Sequence, residues 1–160
     1  MKGNPEVISS LLDILALEAA LNMQWRRDWR AIHDMGAKGS ARDIKNLGKS
    51  AHRYMVLVAD RILDLGGDTE YDCGSVVAFK TLTDIYRNGL TLETKLADMT
   101  QAGIDLAVEK DDEATAEKLR HIEERHEESM VWLEAQLNLI GGMSEGTYIA
   151  VHLQKSSASY

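Results

Sequence analysis

The sequence has little of several residue types, and each shortage excludes a class of protein. Its only cysteine, Cys73, cannot form a disulfide within the chain, which indicates a reducing compartment and argues against a cysteine-ligated cluster. Its only proline, Pro5, leaves long segments free of helix-breaking residues. No run of about eighteen apolar residues and no signal-peptide pattern is present. We therefore expect a soluble, cytoplasmic protein without a membrane-spanning segment.

Basic residues are fewer than acidic residues, with 18 Lys and Arg against 26 Asp and Glu and a formal net charge of -8. We expect no nucleic-acid partner, because phosphate binding draws on basic patches that such a composition does not suggest. The 160 residues suffice for one domain with its own core. We predict this domain over residues 1–155 and a frayed tail over residues 156–160.

Apolar residues recur at helical spacing in long segments. We predict five helices, from about Pro5 to His33, Ala41 to Leu65, Ser75 to Val108, Asp111 to Gly142 and Ser144 to Gln154. Short connections make the first two helices, and the next two, antiparallel pairs. The linker over residues 66–74 spans about 30 Å when extended, nearly the length of the second helix. The pattern therefore predicts an all-α four-helix bundle with one long crossover and a short fifth helix; an up-down-up-down bundle is the alternative.

Polar residues interrupt three of the apolar stripes: Glu18 in the first helix, Glu93 in the third and His126 in the fourth. A buried carboxylate has to be paired, protonated or bound to a metal, because an isolated charge in a core is costly. Two interpretations stay open. The three side chains form either a metal site or a hydrogen-bonded cluster without metal.

The residues beside these stripes leave the ligand set undecided. Glu123 and His126 have the Glu-x-x-His spacing of carboxylate-metal bundles, but Glu123 and Ser129 flank the stripe centre equally. Tyr54 and Ser129 lie at stripe edges and are candidate donors to the carboxylates. The acidic residues around His126 are otherwise typical of a solvated helix face, and we predict that His33, His121 and His152 lie on the surface.

Four segments resemble bacterioferritin over nearly the whole chain. They are Met1-Lys2-Gly3-Asn4-Pro5 with Val7-Ile8, Leu15-x-Leu17-Glu18, Ala59-Asp60-Arg61-Ile62-Leu63-x-Leu65-x-Gly67 and Trp132-Leu133-Glu134-x-Gln136-Leu137-x-Leu139-Ile140. The last segment is the most specific. The resemblance implies a ferritin-like fold, a shell of twenty-four subunits built from twofold dimers, stored iron, a di-iron ferroxidase centre in each bundle, and haem b between paired subunits.

In the register of that family, the di-iron ligands are two single glutamates and two Glu-x-x-His pairs. Glu18 and Glu93 match the single glutamates, whereas Ala51-x-x-Tyr54 and His126-x-x-Ser129 replace the two pairs. The resemblance therefore implies a degraded centre, in which Glu18, Glu93 and His126 form a single site for iron or zinc. Such a site is expected to be a poor two-electron oxidant of iron.

The haem ligand of the family is a methionine, and this chain has His52 at that position. Imidazole is also a good axial ligand, so His52 is the predicted cofactor-binding residue for haem b. The alternative is an ordinary interface histidine in a haem-free dimer. We expect Trp25, Trp29, Trp132 and the flank of the second helix to contribute to subunit association.

We therefore expect a bacterioferritin-like shell subunit for iron storage, with weak or no ferroxidase activity of its own. A companion subunit with an intact centre is a possible partner in the shell. The alternatives are an active ferroxidase that uses a rearranged site with Glu123 or Glu127, and a structural bundle without either cofactor.

Overall fold

The computed structural model describes residues 2–153 and confirms the predicted all-α fold. The helices are α1 (Pro5–Asp34), α2 (Lys38–Asp64), α3 (Leu82–Glu109), α4 (Glu113–Met143) and α5 (Glu145–Leu153). Within these residues no helix is long and apolar enough to cross a membrane. The predicted tail over residues 156–160 and the predicted end of the fifth helix at Gln154 lie outside the described residues.

The crossover between α2 and α3 runs along α1. At one end, the backbone N–H of Gly3 donates to the carbonyl of Leu65 at 2.7 Å, directly after α2. At the other end, Arg27 Nη2 donates to the carbonyl of Phe79 at 3.0 Å, shortly before α3. Residues 65–81 therefore return the chain to the end of the bundle at which α2 began, so α2 and α3 run in the same direction. The predicted crossover topology is confirmed, and the up-down-up-down alternative is wrong.

The third helix begins later than predicted, at Leu82 instead of about Ser75. The side chain of Gln24 on α1 binds both backbone groups of Val77: its Nε2 donates to the carbonyl at 2.9 Å, and its Oε1 accepts from the N–H at 3.1 Å. The helix starts only where the hydroxyl of Thr81 accepts from the N–H of Asp84. A tertiary contact thus overrides the apolar pattern of residues 75–80.

The fourth helix ends later than predicted, because it continues through Gly141 and Gly142 to Met143. Ser144 ends it with a positive φ of 75°. The Ser144 hydroxyl then accepts from the N–H of Thr147 in the first turn of α5. One residue therefore separates α4 from α5, and α5 folds back to contact α4 and α2.

The core lies between the paired helices α1–α2 and α3–α4, with further packing of α1 against α3. Trp25 of α1 is fully buried, so the prediction that Trp25 takes part in subunit association is wrong. Its indole fills the space beside Gly89 on α3, where an added Cβ would lie 2.0 Å from Trp25 Cη2. Close contact between α1 and α3 therefore requires glycine at position 89.

Candidate functional site

Three buried ionisable side chains meet inside the bundle, each from a different helix: Glu18 from α1, Glu93 from α3 and His126 from α4. The exposed fractions of these residues are 0%, 2% and 2%. His126 Nδ1 lies 2.5 Å from Glu93 Oε2, and His126 Nε2 contacts Glu18 Oε1. The structure therefore brings together the three residues that the sequence predicted to converge. We call them the Glu-His-Glu triad.

The contacts of the triad favour a protonated imidazole. Burial by itself lowers the pKa of His126, but hydrogen bonds to Glu18 and Glu93 and the charges of both carboxylates together raise it to about 10. Both ring nitrogens then carry protons and donate. Burial raises the pKa of the Glu18 carboxyl, and the bond to His126 opposes this shift only in part. The imidazole of the triad therefore carries a proton on each ring nitrogen, and with them a positive charge, at neutral pH.

The imidazole ring separates the two carboxylates, because each of them contacts a different ring nitrogen. Within residues 2–153, no group of three or more His, Cys, Asp or Glu side chains is arranged to hold one metal ion. The second oxygen of Glu18, Oε2, is buried and has no hydrogen-bond partner among these residues. It is the least satisfied atom of the triad.

The second helix contributes no carboxylate to the triad. Ala51 is buried there, and its methyl side chain cannot ligate a metal. Tyr54 packs edge-on against His126, with 5.4 Å between ring centroids. The Ser129 hydroxyl donates to the carbonyl of Arg125 at 3.0 Å, one turn back along α4. Within the described residues, neither Tyr54 nor Ser129 donates to Glu18 or Glu93, although the sequence had made both candidate donors.

A groove between α2 and α4 lies outside Tyr54, with a volume of about 360 Å³. Arg53 and Arg125 line it, and Arg125 forms a salt bridge of 2.9 Å with Glu128. Tyr54 itself is 5% exposed and closes the inner end of the groove. Two arginines and one glutamate, Glu128, line this arginine-lined groove, so its net charge is positive, which disfavours the entry of cations.

His52, the predicted haem ligand, lies exposed on α2 at the edge of a second groove, between α1 and α2. We call it the basic groove. It has a volume of about 520 Å³, and the residues that line it are Asn22, Arg26, Trp29, Arg30, Lys45, Gly48, Lys49 and His52. No acidic side chain is among them. Asn22 is held by its own bond, in which Nδ2 donates to the carbonyl of Gly48 at 2.7 Å.

The basic groove belongs to a segment whose charge is opposite to that of the whole chain. Residues 26–53 contain eight Lys and Arg and three Asp, for a net charge of +5, so the other residues together carry -13. The composition of the chain had suggested that basic patches are absent, and this expectation is wrong. The net charge of the whole chain did not reveal this groove, because its basic residues come from two helices, α1 and α2, that lie side by side.

The histidines and glutamates outside the triad are mostly placed as predicted. His33, His121, Glu124, Glu127 and Glu128 are exposed, and Glu123, three residues before His126 on α4, is half-buried. His152 was predicted on the surface, but this is wrong. It is buried on the inner face of α5, stacked on Tyr148 with 3.9 Å between ring centroids, and its Nδ1 lies 2.7 Å from the Tyr148 carbonyl.

Residues 9–143 match the ferritin-like domain family. The chain therefore belongs to the ferritin family. Its four-helix bundle with a long crossover, and the polar groups on the inner faces of its helices, agree with this assignment.

Within that family the chain is similar to bacterioferritins, as the sequence predicted. It is 28% identical to the bacterioferritin of Mycobacterium leprae over 94% of this chain and 95% of that protein. It is 25% identical to the bacterioferritin of Streptomyces coelicolor over 98% and 94%. Among solved structures, Mycobacterium tuberculosis bacterioferritin BfrA matches with a TM-score of 0.92 and 27% identity, over 98% of this chain and 99% of that one.

Proposed function

We propose that this chain is a bacterioferritin-type shell subunit for iron storage, in which a protonated Glu-His-Glu triad takes the place of a pair of iron ions. The observation that carries the proposal is that both ring nitrogens of His126 contact carboxylates. Imidazole ligates a metal through the lone pair of a neutral nitrogen, and here neither nitrogen has one free. As arranged, these residues do not fit a di-iron centre.

The surroundings of the triad support the same proposal. A di-iron site in a bundle draws carboxylates from all four helices, and α2 presents Ala51 and Tyr54 instead. On the α4 side, His126 occupies the position of a ligating glutamate and pairs with the two carboxylates that are present. The imidazolium supplies positive charge between them, which is the electrostatic role that metal ions have in such a centre.

A single iron or zinc ion held by Glu18, Glu93 and His126 is the second candidate. The observation that favours it is the buried Oε2 of Glu18, which has no partner among the described residues and would accept a cation. Metal ligation would require His126 to leave one carboxylate and lose a proton. An active ferroxidase that uses Glu123 or Glu127 has no such support, because Glu127 is exposed and the hydrogen-bond partners of His126 among the described residues are Glu18 and Glu93, not Glu123.

The proposed shell has twenty-four subunits built from twofold dimers. Exposed apolar side chains on α1, α2 and the crossover can contribute to an interface on that side of the bundle; they are Met23, Val56, Leu63 and Tyr71. The helices α3 and α4 expose Val108, Val131 and Leu139 as well, so the choice of side follows the family resemblance. Iron oxidation in the cell is then the task of a companion subunit with an intact centre. A cytoplasmic location is part of the proposal, and the single unpaired thiol, Cys73, fits it.

We propose that His52 is an interface residue in a haem-free dimer, and haem b binding at His52 is the less favoured alternative. The imidazole is accessible, and it would supply the axial ligand if a haem lay between two subunits. The walls around it, however, include Arg26, Lys45 and Lys49, whereas a porphyrin ring needs a mainly apolar pocket. An absorption spectrum after haem addition tests this ranking. A low-spin Soret band that is lost in His52→Ala would reverse it.

Anaerobic loading with ferrous iron, followed by metal analysis, tests the triad. We expect no tightly bound iron per bundle and a shell that light scattering detects as a large assembly. Two tightly bound irons per bundle would contradict the proposed triad. One tightly bound iron per bundle would favour the single-metal candidate. A stable monomer would contradict the proposed shell, whatever the metal content.

A further inference from the structure

The basic groove concentrates cations that have no carboxylate partner. Arg26 and Arg30 come from α1, and Lys45 and Lys49 from α2. Within the described residues, none of the four forms a salt bridge, although most other arginines of the chain do. Like charges within the screening length of about 8 Å at physiological salt repel one another, so a groove lined by four cations favours a bound anion.

Trp29 makes cation–π contacts with two of these cations. The Lys45 ammonium lies 4.7 Å from the centroid of the Trp29 ring, and the Arg30 guanidinium carbon lies 5.1 Å from it. Cation–π contacts hold both head groups without neutralising their charge. The Trp29 ring therefore contacts one cation from each of the two helices. A ligand that enters the groove meets these positive charges and not the face of the ring.

We propose that the basic groove is a binding site for a phosphate-class polyanion of the size of pyrophosphate. The groove is concave and about 520 Å³ in volume, so it encloses a small ligand better than a flat protein surface. Guanidinium groups match phosphate oxygens in geometry, and lysine adds point charges. His52 adds a hydrogen-bonding group at the edge of the groove, and the buried amide of Asn22, which donates to the carbonyl of Gly48, forms part of its wall. The groove lies between α1 and α2, the helices that carry the proposed twofold interface, so the inferred anion would lie between paired subunits in the proposed shell.

Calorimetric titration of the full-length protein with pyrophosphate, at constant ionic strength, tests this site. The test variant is Lys45→Gln with Lys49→Gln, which removes two cations of α2 and keeps helix-compatible side chains. We expect at least about tenfold weaker binding of pyrophosphate. Lys45→Arg with Lys49→Arg keeps the charges and is expected to retain binding.

The matched control is Lys95→Gln with Lys118→Gln, since both lysines are exposed on α3 and α4, away from the basic groove. It changes the net charge equally and should leave pyrophosphate binding unchanged. Circular dichroism verifies that each variant is folded. Equal losses in the test and control variants, or equal affinity for sulfate, would assign the binding to nonspecific charge and overturn the proposal. Binding of single-stranded DNA without binding of pyrophosphate would also overturn it.

Discussion

Tyr54 packs edge-on against His126, with ring centroids 5.4 Å apart and ring planes inclined by 69°. It stands between the Glu-His-Glu triad and the arginine-lined groove outside, and it is almost fully buried itself. The triad is therefore sealed on the side where α2 would supply a metal ligand. Because water is excluded there, the electrostatic contacts of His126 are stronger than they would be at the surface, and losing any one of them is more costly.

Replacement of His126 by leucine should destabilise the protein strongly, because it leaves Glu18 and Glu93 buried without their common partner. Removing one member of a buried ion cluster costs about 3–5 kcal/mol. Urea unfolding at neutral pH measures the loss. The control is the triple variant Glu18→Met, Glu93→Met and His126→Leu, which replaces the whole cluster by apolar side chains and should recover most of the stability. A comparable loss in the triple variant would show that packing, and not charge, explains the effect.

The stability of the fold should fall as the pH rises through the alkaline range. The pKa of His126 is raised from 6.5 to about 10, so its stabilising contribution is complete below pH 6.5 and is lost as the pH approaches 10. The raised pKa of Glu18 also makes stability fall with rising pH, starting above its usual value of 4.5, because its ionisation inside the fold is disfavoured. The interval between pH 6.5 and about pH 10 costs about 1.4 kcal/mol of unfolding free energy for each pH unit, so the total loss is at most about 5 kcal/mol.

Urea unfolding at about pH 6 and about pH 9.5 checks this dependence. The wild type should lose several kcal/mol more than the triple apolar variant, which has no titrating group at the triad and so controls for lysines and tyrosines elsewhere. Identical losses in the two proteins would mean that His126 is already neutral at pH 6.

The sequence was sufficient for the helices and for the convergence of the triad, because both follow from the spacing of residues along single helices. Glu18, Glu93 and His126 each interrupt an apolar stripe, and a bundle has only one interior for such residues to share. Periodicity could not give the contacts between them. Whether His126 bridges the carboxylates or shares a metal with them depends on the orientation of its ring.

Other features depend on residues far apart in the chain and were missed for that reason. The start of α3 is set by Gln24, which lies 53 residues before Val77. His152 is buried because α5 folds back onto the bundle, although a nine-residue helix at the end of a chain looks exposed in the sequence. The basic groove needs two helices side by side before its charges add up.

Two helical glycines, Gly89 in α3 and Gly141 in α4, should respond oppositely to replacement by alanine. Gly89→Ala should destabilise the fold, because its Cβ would overlap the buried indole of Trp25. The matched control is Gly141→Ala in α4, where an added Cβ meets nothing within 4 Å. That variant should be stabilised by about 0.5–1 kcal/mol through helix propensity alone. Thermal unfolding of both variants provides the comparison. An unchanged melting temperature for Gly89→Ala would show that α1 and α3 separate easily.

The di-iron chemistry that the family resemblance implies should be recoverable by rebuilding the ligands. Ala51→Glu, Tyr54→His, His126→Glu and Ser129→His together restore a carboxylate and a histidine on α2 and on α4, while Glu18 and Glu93 stay in place. The variant also removes Tyr54 from the inner end of the arginine-lined groove. Oxygen uptake on mixing with two ferrous ions per subunit should then be fast, whereas the wild type should react slowly.

The single variant His126→Glu is the control for this experiment, since it opens the triad without completing the ligand set. Its three clustered carboxylates repel one another and lack the histidines that would terminate the site, so we expect slow oxygen uptake and reduced stability. A rapid phase of equal amplitude in the wild type would contradict the proposed triad. In that case His126 has to turn away from Glu18 or Glu93 when iron enters, and Glu18 Oε2, which has no hydrogen-bond partner among the described residues, is an atom that could accept the ion.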